Sequence, residues 1–170
     1  KDWVRDLSTK RKQIHSQSGQ DGILEEIFRQ ISPTNKFCVE FGFNTDTISG
    51  GSGPNVSNLV LNHGWKCLLL DGSHENLEIN LHKHFITPDN ICNLFKQYEV
   101  PEVPGFISID VDSTDLWLFK AVVQKYRADV FTVEFNSNYP CNETITIVPT
   151  PTEPWEGDKC YGASIGALDL

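Results

Sequence analysis

Hydrophobic residues in this chain form short continuous runs, and the stretches between those runs repeat apolar residues at helical spacing. The clearest runs are 37–41, 66–71, 106–110 and 129–135. Runs of this length, bounded by glycine or polar residues, are typical of strands buried on both faces in a parallel sheet. Several of them end on acidic residues. In open α/β sheets, ligands bind in the crevice outside the carboxyl ends of the strands, so the sequence predicts an acidic crevice there.

Helices are predicted between the strands. Amphipathic spacing or helix-start residues indicate them over 19–31, 56–63, 75–81, 88–98 and 113–126, with a further helix starting near 163. Thr87 is the expected cap of the fourth, and Ser113 or Thr114 of the fifth. The interval between residues 81 and 88 leaves hardly any room for a strand. The alternation predicts an α/β fold with a doubly wound, mostly parallel sheet and helices on both faces.

Composition narrows the class of protein. A chain of 170 residues, 39% of them hydrophobic, is long enough to bury one core, and no linker divides it, so we expect a single domain over 1–170. The last predicted helix stops at the final residue, which suggests a domain cut short at its C-terminal end. A formal charge of −9 argues against nucleic-acid and anionic-membrane partners. No apolar run approaches the roughly 18 residues of a membrane span.

Cysteines and glycosylation sequons favour the secretory pathway or the extracellular space. The segment that contains Cys141 and Cys160 is polar and rich in proline, and a disulfide between these two residues would close it in an oxidising compartment. Sequons occur at Asn55 and Asn142, which are the predicted glycosylation sites. Sequons this short also arise by chance.

Six segments of the chain resemble the FkbM-type family of S-adenosylmethionine-dependent methyltransferases. They run in the family's order and are spread over nearly the whole chain: 16–23 (SQSGQDGI), 39–42 (VEFG), 64–72 (GWKCLLLDG), 107–112 (ISIDVD), 133–136 (VEFN) and 161–164 (YGAS). The resemblance implies a Rossmann-like sheet, lacking some of the family's strands, with the cofactor lying across the strand ends.

Site residues follow from the same resemblance. Glu40 and Gly42 would flank the methionine and ribose parts of S-adenosylmethionine, and Asp71 would accept hydrogen bonds from the ribose hydroxyls. The resemblance also implies that Asn44, Gly72 and Ser73 contact the cofactor. Asp110 and Glu134 are the expected catalytic residues, one of them serving as base or as metal ligand during methyl transfer to an oxygen nucleophile.

The acidic strand ends also suggest a metal site. Asp110, Asp112 and Asn136, near Glu134, offer hard oxygen ligands that suit Mg²⁺ or Ca²⁺, an arrangement similar to that of catechol O-methyltransferase-like enzymes. The alternative is that Asp112, Ser113 and Asp115 only cap the following helix.

Two functions therefore stay open. The first is methyl transfer from S-adenosylmethionine to a hydroxyl of a small molecule or glycan. The second is a cofactor-less methyltransferase fold with a structural role in a secreted assembly or homo-oligomer. Residues 43–47 stand where the family has a glycine-rich turn after the first strand. A crevice left open after Gly42 would favour methyl transfer, whereas a crevice filled by Phe43 would favour the structural role.

Overall fold

The computed structural model describes residues 2–51, 53–148 and 161–169. Five strands and five α-helices make up the fold. The strands are β1 (Phe37–Phe41), β2 (Lys66–Asp71), β3 (Leu81–Lys83), β4 (Phe106–Ile109) and β5 (Val130–Val133). The helices are α1 (Gln20–Ile31), α2 (Ser57–His63), α3 (Ile91–Gln97), α4 (Asp115–Val122) and α5 (Ile165–Leu168). Short 3-10 helices span Asp2–Lys10, Gln17–Gly19 and Leu77–Ile79.

All five strands are parallel, in the order β3-β2-β1-β4-β5. The chain moves outward from β1 to β3 and then returns to β4 and β5, so the strand order reverses at β1. This confirms the predicted α/β class, with a sheet that is consistent with a Rossmann-like, doubly wound fold. The ends of β1 and β4, where the order reverses, are the expected ligand position in such a sheet.

Alternating side chains give the sheet two faces with different cores. The Val39 face, named after its central residue, packs Phe41, Leu70 and Ile107 against α3 and α4. The Glu40 face packs Cys38, Leu69 and Phe106 against α1 and α2. The strand register places Glu40 beside Ser108 and Ser108 beside Thr132. The Glu40 face is therefore apolar where the strands begin and polar where they end.

The structure corrects the prediction between β2 and α3. A helix was expected over 75–81, but only a 3-10 turn forms at Leu77–Ile79, and Leu81 already belongs to β3. Asn80 separates the two with φ near +57°, and its side chain donates to the carbonyl of Cys67. A three-residue strand is too short to show alternation, which is why the hydrophobic pattern predicts no strand here.

Helix ends also differ from the predicted ones. α4 starts at Asp115 and ends at Val122, shorter than the predicted 113–126. Thr114 holds the N-cap position, but its side chain makes no capping hydrogen bond. α3 starts at Ile91 instead of 88, and Asn90 holds its N-cap position in place of the expected Thr87. Thr87 stabilises the preceding turn, where its N–H donates to Asn90 Oδ1 and Asn90 N–H donates to Thr87 Oγ1.

The first segment of the family resemblance, 16–23, has a structural explanation. Asp21 is 1% exposed, and its Oδ2 accepts hydrogen bonds from the backbone N–H groups of Ile14, His15 and Ser16 at 2.7–2.8 Å. The Ser16 hydroxyl accepts the N–H of Asp21 in return at 2.8 Å. This exchange fixes the chain that leads into α1.

Gly42 makes the closest backbone approach at the end of the sheet. Its φ is +72°, and a Cβ added there would overlap the carbonyl oxygen of Asp110. Its N–H donates to the carbonyl of Leu70 at 3.1 Å. Glycine is therefore required here by the neighbouring strand end, and this requirement exists without any cofactor.

We predict that Gly42→Ala destabilises the fold by roughly 3 kcal/mol or more, because backbone strain and a clash with main-chain atoms add together. Chemical denaturation measures the effect. The matched control is Gly72→Ala, where an added Cβ meets nothing within 4 Å and φ is not positive. Equal stability of the two variants would contradict the prediction.

Candidate functional site

A cavity of about 410 Å³ lies across the carboxyl ends of four strands. Each strand end contributes one stretch of its wall: Gly42 and Asn44 after β1, Asp71–Ser73 at β2, His84–Pro88 after β3, and Asp110–Thr114 after β4. Ligand sites in proteins usually enclose about 300–1,000 Å³. We call this space the strand-end cavity.

Five of the six residues expected to contact a cofactor line this one cavity, namely Gly42, Asn44, Asp71, Gly72 and Ser73. Phe43 does not fill it. The Phe43 side chain is 1% exposed and packs into the core of the Glu40 face, beside Val56 and Leu59. The crevice after Gly42 is therefore open.

Asp71 organises the turns around the cavity. Its Oδ1 accepts from Ser73 N–H and from His74 N–H and Nδ1, at 2.6–2.9 Å, and its Oδ2 accepts from Asn44 N–H at 2.9 Å. Burial raises the pKa of Asp71, but these N–H donors outweigh burial and the net shift is downward. The carboxylate is thus ionised, and Oδ2 keeps one acceptor position for a ligand hydroxyl.

Glu40 takes a different place from the one expected. It is 4% exposed and does not line the strand-end cavity. Its two oxygens accept the N–H groups of Asn55 and Val56, at 3.0 and 3.1 Å, where the chain enters α2. Burial raises the pKa of Glu40 to about 7 in spite of these hydrogen bonds. Glu40 holds the start of α2 against the sheet.

The two predicted catalytic residues do meet. Asp110 follows β4 and Glu134 follows β5, and a carboxyl oxygen of one lies within 4.8 Å of a carboxyl oxygen of the other. Burial, followed by the charges of Asp115 and Asp112, raises the pKa of Asp110 to about 6. Glu134 is exposed as a residue, but partial desolvation of its carboxyl, followed by the charge of Asp110, raises the pKa of Glu134 to about 8. Two carboxyl groups this close hold one proton between them near neutral pH.

The predicted metal ligands are only partly brought together. Within the described residues, one group of oxygen ligands has its atoms within 4.8 Å of one another, and it consists of Asp110, Asp115 and Glu134. Asn136 is engaged elsewhere, since its Nδ2 donates to the Tyr161 carbonyl and its Oδ1 accepts Asn138 N–H. The geometry therefore favours Asp115 and Glu134 over Asp112 and Asn136 as partners of Asp110 in a metal site.

Asp115 stabilises the loop before α4 and does not cap the helix, whose N-cap position is held by Thr114. Asp115 is fully buried, and its carboxylate accepts the N–H groups of Val111 and Ser113 at 2.8 and 3.0 Å. Asp112 is exposed, with φ near +58°, and lines the strand-end cavity. Its side chain faces solvent and any ligand bound there.

The asparagines of the two sequons differ in their exposure to solvent. Asn142 is exposed and stays a predicted glycosylation site. Asn55 is only 9% exposed, and its Nδ2 donates to Ser108 Oγ at 3.1 Å. A glycan on this nitrogen would have to break that bond inside the fold, so Asn142 is the more accessible of the two predicted sites. Cys141 is exposed, whereas Cys160 lies outside the described residues and the disulfide stays a prediction.

One contributor to the strand-end cavity was missed. Phe85 comes two residues after the end of the overlooked strand β3, lines the cavity and is 82% exposed. An aromatic side chain this exposed has almost no packing of its own, and it offers a flat surface at the rim. The available signal was Phe85 itself, an aromatic residue within the mostly polar stretch 82–88, where no periodic pattern assigns it a buried position.

Comparison with family models, with curated proteins and with solved structures gives no match for this chain. No helix in the described part of the chain is long and apolar enough to cross a bilayer.

We predict that the free energy of unfolding falls as pH rises from about 5 to about 8. A carboxyl group whose pKa is raised by folding adds stability that is fully present below its unfolded pKa, near 4.5, and is lost as pH rises through the folded value. Glu40 alone accounts for roughly 2–3 kcal/mol of this decline. Urea denaturation at several pH values measures it.

Glu134→Gln provides the control for that measurement. Of Glu40, Asp110 and Glu134, Glu134 has the highest pKa. Its removal should flatten the decline in the free energy of unfolding near pH 8, while the part of the decline caused by Glu40 persists. Stability that is constant or increases across this pH range would contradict the assignment.

Proposed function

We propose that this protein binds S-adenosylmethionine in the strand-end cavity and transfers its methyl group to a small-molecule or glycan acceptor. The observation that carries the proposal is the charge of the cavity wall. Asp71, Asp110 and Asp112 line it, and among the described residues of its wall there is no lysine or arginine. Such a wall suits a sulfonium ion and opposes a phosphate group.

The start of α2 supports the same ligand class. In nucleotide-binding sheets, the helix after the first strand presents free N–H groups to a phosphate. Here Glu40 accepts the N–H groups of Asn55 and Val56, so an internal carboxylate already occupies that anion position. Dinucleotides and nucleoside triphosphates would therefore meet both a filled site and like charges.

Three parts of the ligand, the ribose, the adenine and the sulfonium, have a matching group in the cavity. The Oδ2 atom of Asp71 can accept a ribose hydroxyl, and the exposed ring of Phe85 can stack on adenine. Asp110 contributes negative charge near the sulfonium. The Asp110 and Glu134 pair can take up the proton that the acceptor loses. Positioning and charge would supply most of the rate acceleration.

A second candidate function is the structural one. Leu61 and Leu77 are 47% and 67% exposed beside an apolar cavity next to Trp65, on the side away from the strand ends. An apolar surface of this kind favours contact with another chain, such as a second copy in a homo-oligomer. In that case Asp71 would serve only to close its own turn.

We predict that Phe85→Ala weakens binding of S-adenosylmethionine about ten-fold or more, as expected for one lost base–aromatic stack. Isothermal titration calorimetry with S-adenosylmethionine and S-adenosylhomocysteine, with and without Mg²⁺, measures the affinity. Leu77→Ala is the matched control, because it removes another largely exposed apolar side chain, outside the cavity. No heat from folded wild-type protein would reject the proposal and favour the structural function.

We also predict that Asp112→Asn weakens binding of the sulfonium more than binding of its neutral thioether product. Asparagine tolerates the positive φ of this position, so the loop should keep its shape. The expected loss is about two- to five-fold, the size of one exposed charge interaction. Asp46→Asn, at an exposed site outside the cavity, is the control. Binding of NAD or ATP in place of S-adenosylmethionine would contradict the charge argument.

A further inference from the structure

A second, smaller cavity of about 220 Å³ adjoins the first at the ends of β4 and β5. Its polar wall consists of Gln20, Asn55, Ser108, Asp110, Thr132 and Glu134. Within the described residues, Asp110 is the one residue that lines both cavities. A group held in the second cavity would therefore lie next to a ligand in the strand-end cavity, with the Asp110 carboxyl at the boundary.

Two buried acceptor atoms in this wall lack a partner within the described chain. Asn55 Oδ1 and Thr132 Oγ1 are inaccessible to solvent and make no hydrogen bond there. Asn55 cannot turn to find one, because its Nδ2 is bound to Ser108 and its backbone N–H to Glu40. Buried polar atoms without partners are rare in folded proteins, and a bound ligand is one of the explanations for them.

The charges around the second cavity all have the same sign. Asp110 and Glu134 line it, Asp112 lies on the loop into α4, Asp115 is the first residue of α4, and Glu40 on β1 lies beside Ser108. No described residue of its wall is a lysine, arginine or histidine. A ligand for this wall must supply hydrogen-bond donors, and positive charge would offset the carboxylates.

A metal ion fits these groups less well than an organic cation. Asp115 would be the third carboxylate ligand, but its oxygens already accept two backbone N–H groups. An ammonium group needs only acceptors for its three N–H bonds. The wall provides these at Asp110, Glu134 and the unpartnered oxygen of Asn55.

We propose that the second cavity binds the methyl acceptor and that the acceptor is an amine. This inference rests on the proposed function. The protonated amino group gives one proton to the carboxylate of the Asp110 and Glu134 pair. The freed nitrogen lone pair then attacks the methyl carbon, and the carbon–sulfur bond breaks with its electrons passing to sulfur. The products are a methylated ammonium, a neutral thioether and a protonated carboxyl pair.

The test uses ethylammonium chloride, ethanol and MgCl₂ or CaCl₂ as separate probes on the full chain without cofactor. Proton–nitrogen correlation spectra follow the side-chain amides of Gln20 and Asn55 and the backbone amides of Thr132 and Glu134. We expect saturable shifts with ethylammonium and none with ethanol at the same concentration. Equal shifts with ethanol, or shifts with Mg²⁺ or Ca²⁺ but not with ethylammonium, would overturn the inference.

Variants of the cavity wall test which side chains bind ethylammonium. Glu134→Gln should weaken the affinity for ethylammonium about ten-fold, as expected for a lost hydrogen bond to a charged group. Glu75→Gln removes an exposed acid outside both cavities and should leave the affinity unchanged. Thr132→Val, which keeps the shape of the side chain, should also weaken binding. Unchanged affinity in both Glu134→Gln and Thr132→Val would overturn the inference.

Calorimetry with S-adenosylmethionine on the same samples separates the two proposals. If ethylammonium binds and the sulfonium does not, methyl transfer is rejected while the cavity remains an amine site. If the sulfonium binds and ethylammonium does not, the cofactor proposal stands and the amine acceptor is rejected.

Discussion

The contact between Gly42 and the carbonyl of Asp110 is the constraint on which the rest of the site depends. It sets how closely the ends of β1 and β4 approach, at the point where the strand order reverses. Glycine has no Cβ, so the chain can turn away from β1 at this close contact. Phe43 then packs into the core, and Asn44 N–H donates to Asp71. The cavity above the strand ends is a result of that turn.

Parallel pairing then concentrates charge at one edge of the sheet. Glu40, Ser108 and Thr132 are neighbours across three strands, and Asp110 and Glu134 follow two residues later on the same side. The helices of the Glu40 face cover the apolar half of that face and leave the polar half to loops. Burial of carboxyl groups opposes folding unless they are paired or protonated. The raised pKa values of these groups follow from that cost of burying a charged carboxylate.

The sequence predicted the parts of the fold that depend on local pattern. The bounds of β1 and β2 agree with prediction, because both are continuous apolar runs with clear ends. β3 was missed because its three residues include two polar ones, and strand pairing rather than pattern defines it. The meeting of Asp110 with Glu134 was predictable from the strand register alone. The roles of Glu40 and Asn55 were not, since both depend on how the long loop before α2 folds back onto the sheet.

The shared proton of Asp110 and Glu134 has a practical consequence for finding ligands. At alkaline pH the folded chain carries several carboxylates that repel one another, and the unfolded chain does not hold them together. A cation that binds only the folded form relieves this repulsion, so it should raise the melting temperature more at pH 8 than at pH 6. A rise in melting temperature that is larger at pH 8 than at pH 6 thus indicates a cationic ligand. A compound screen would therefore be most sensitive in alkaline buffer.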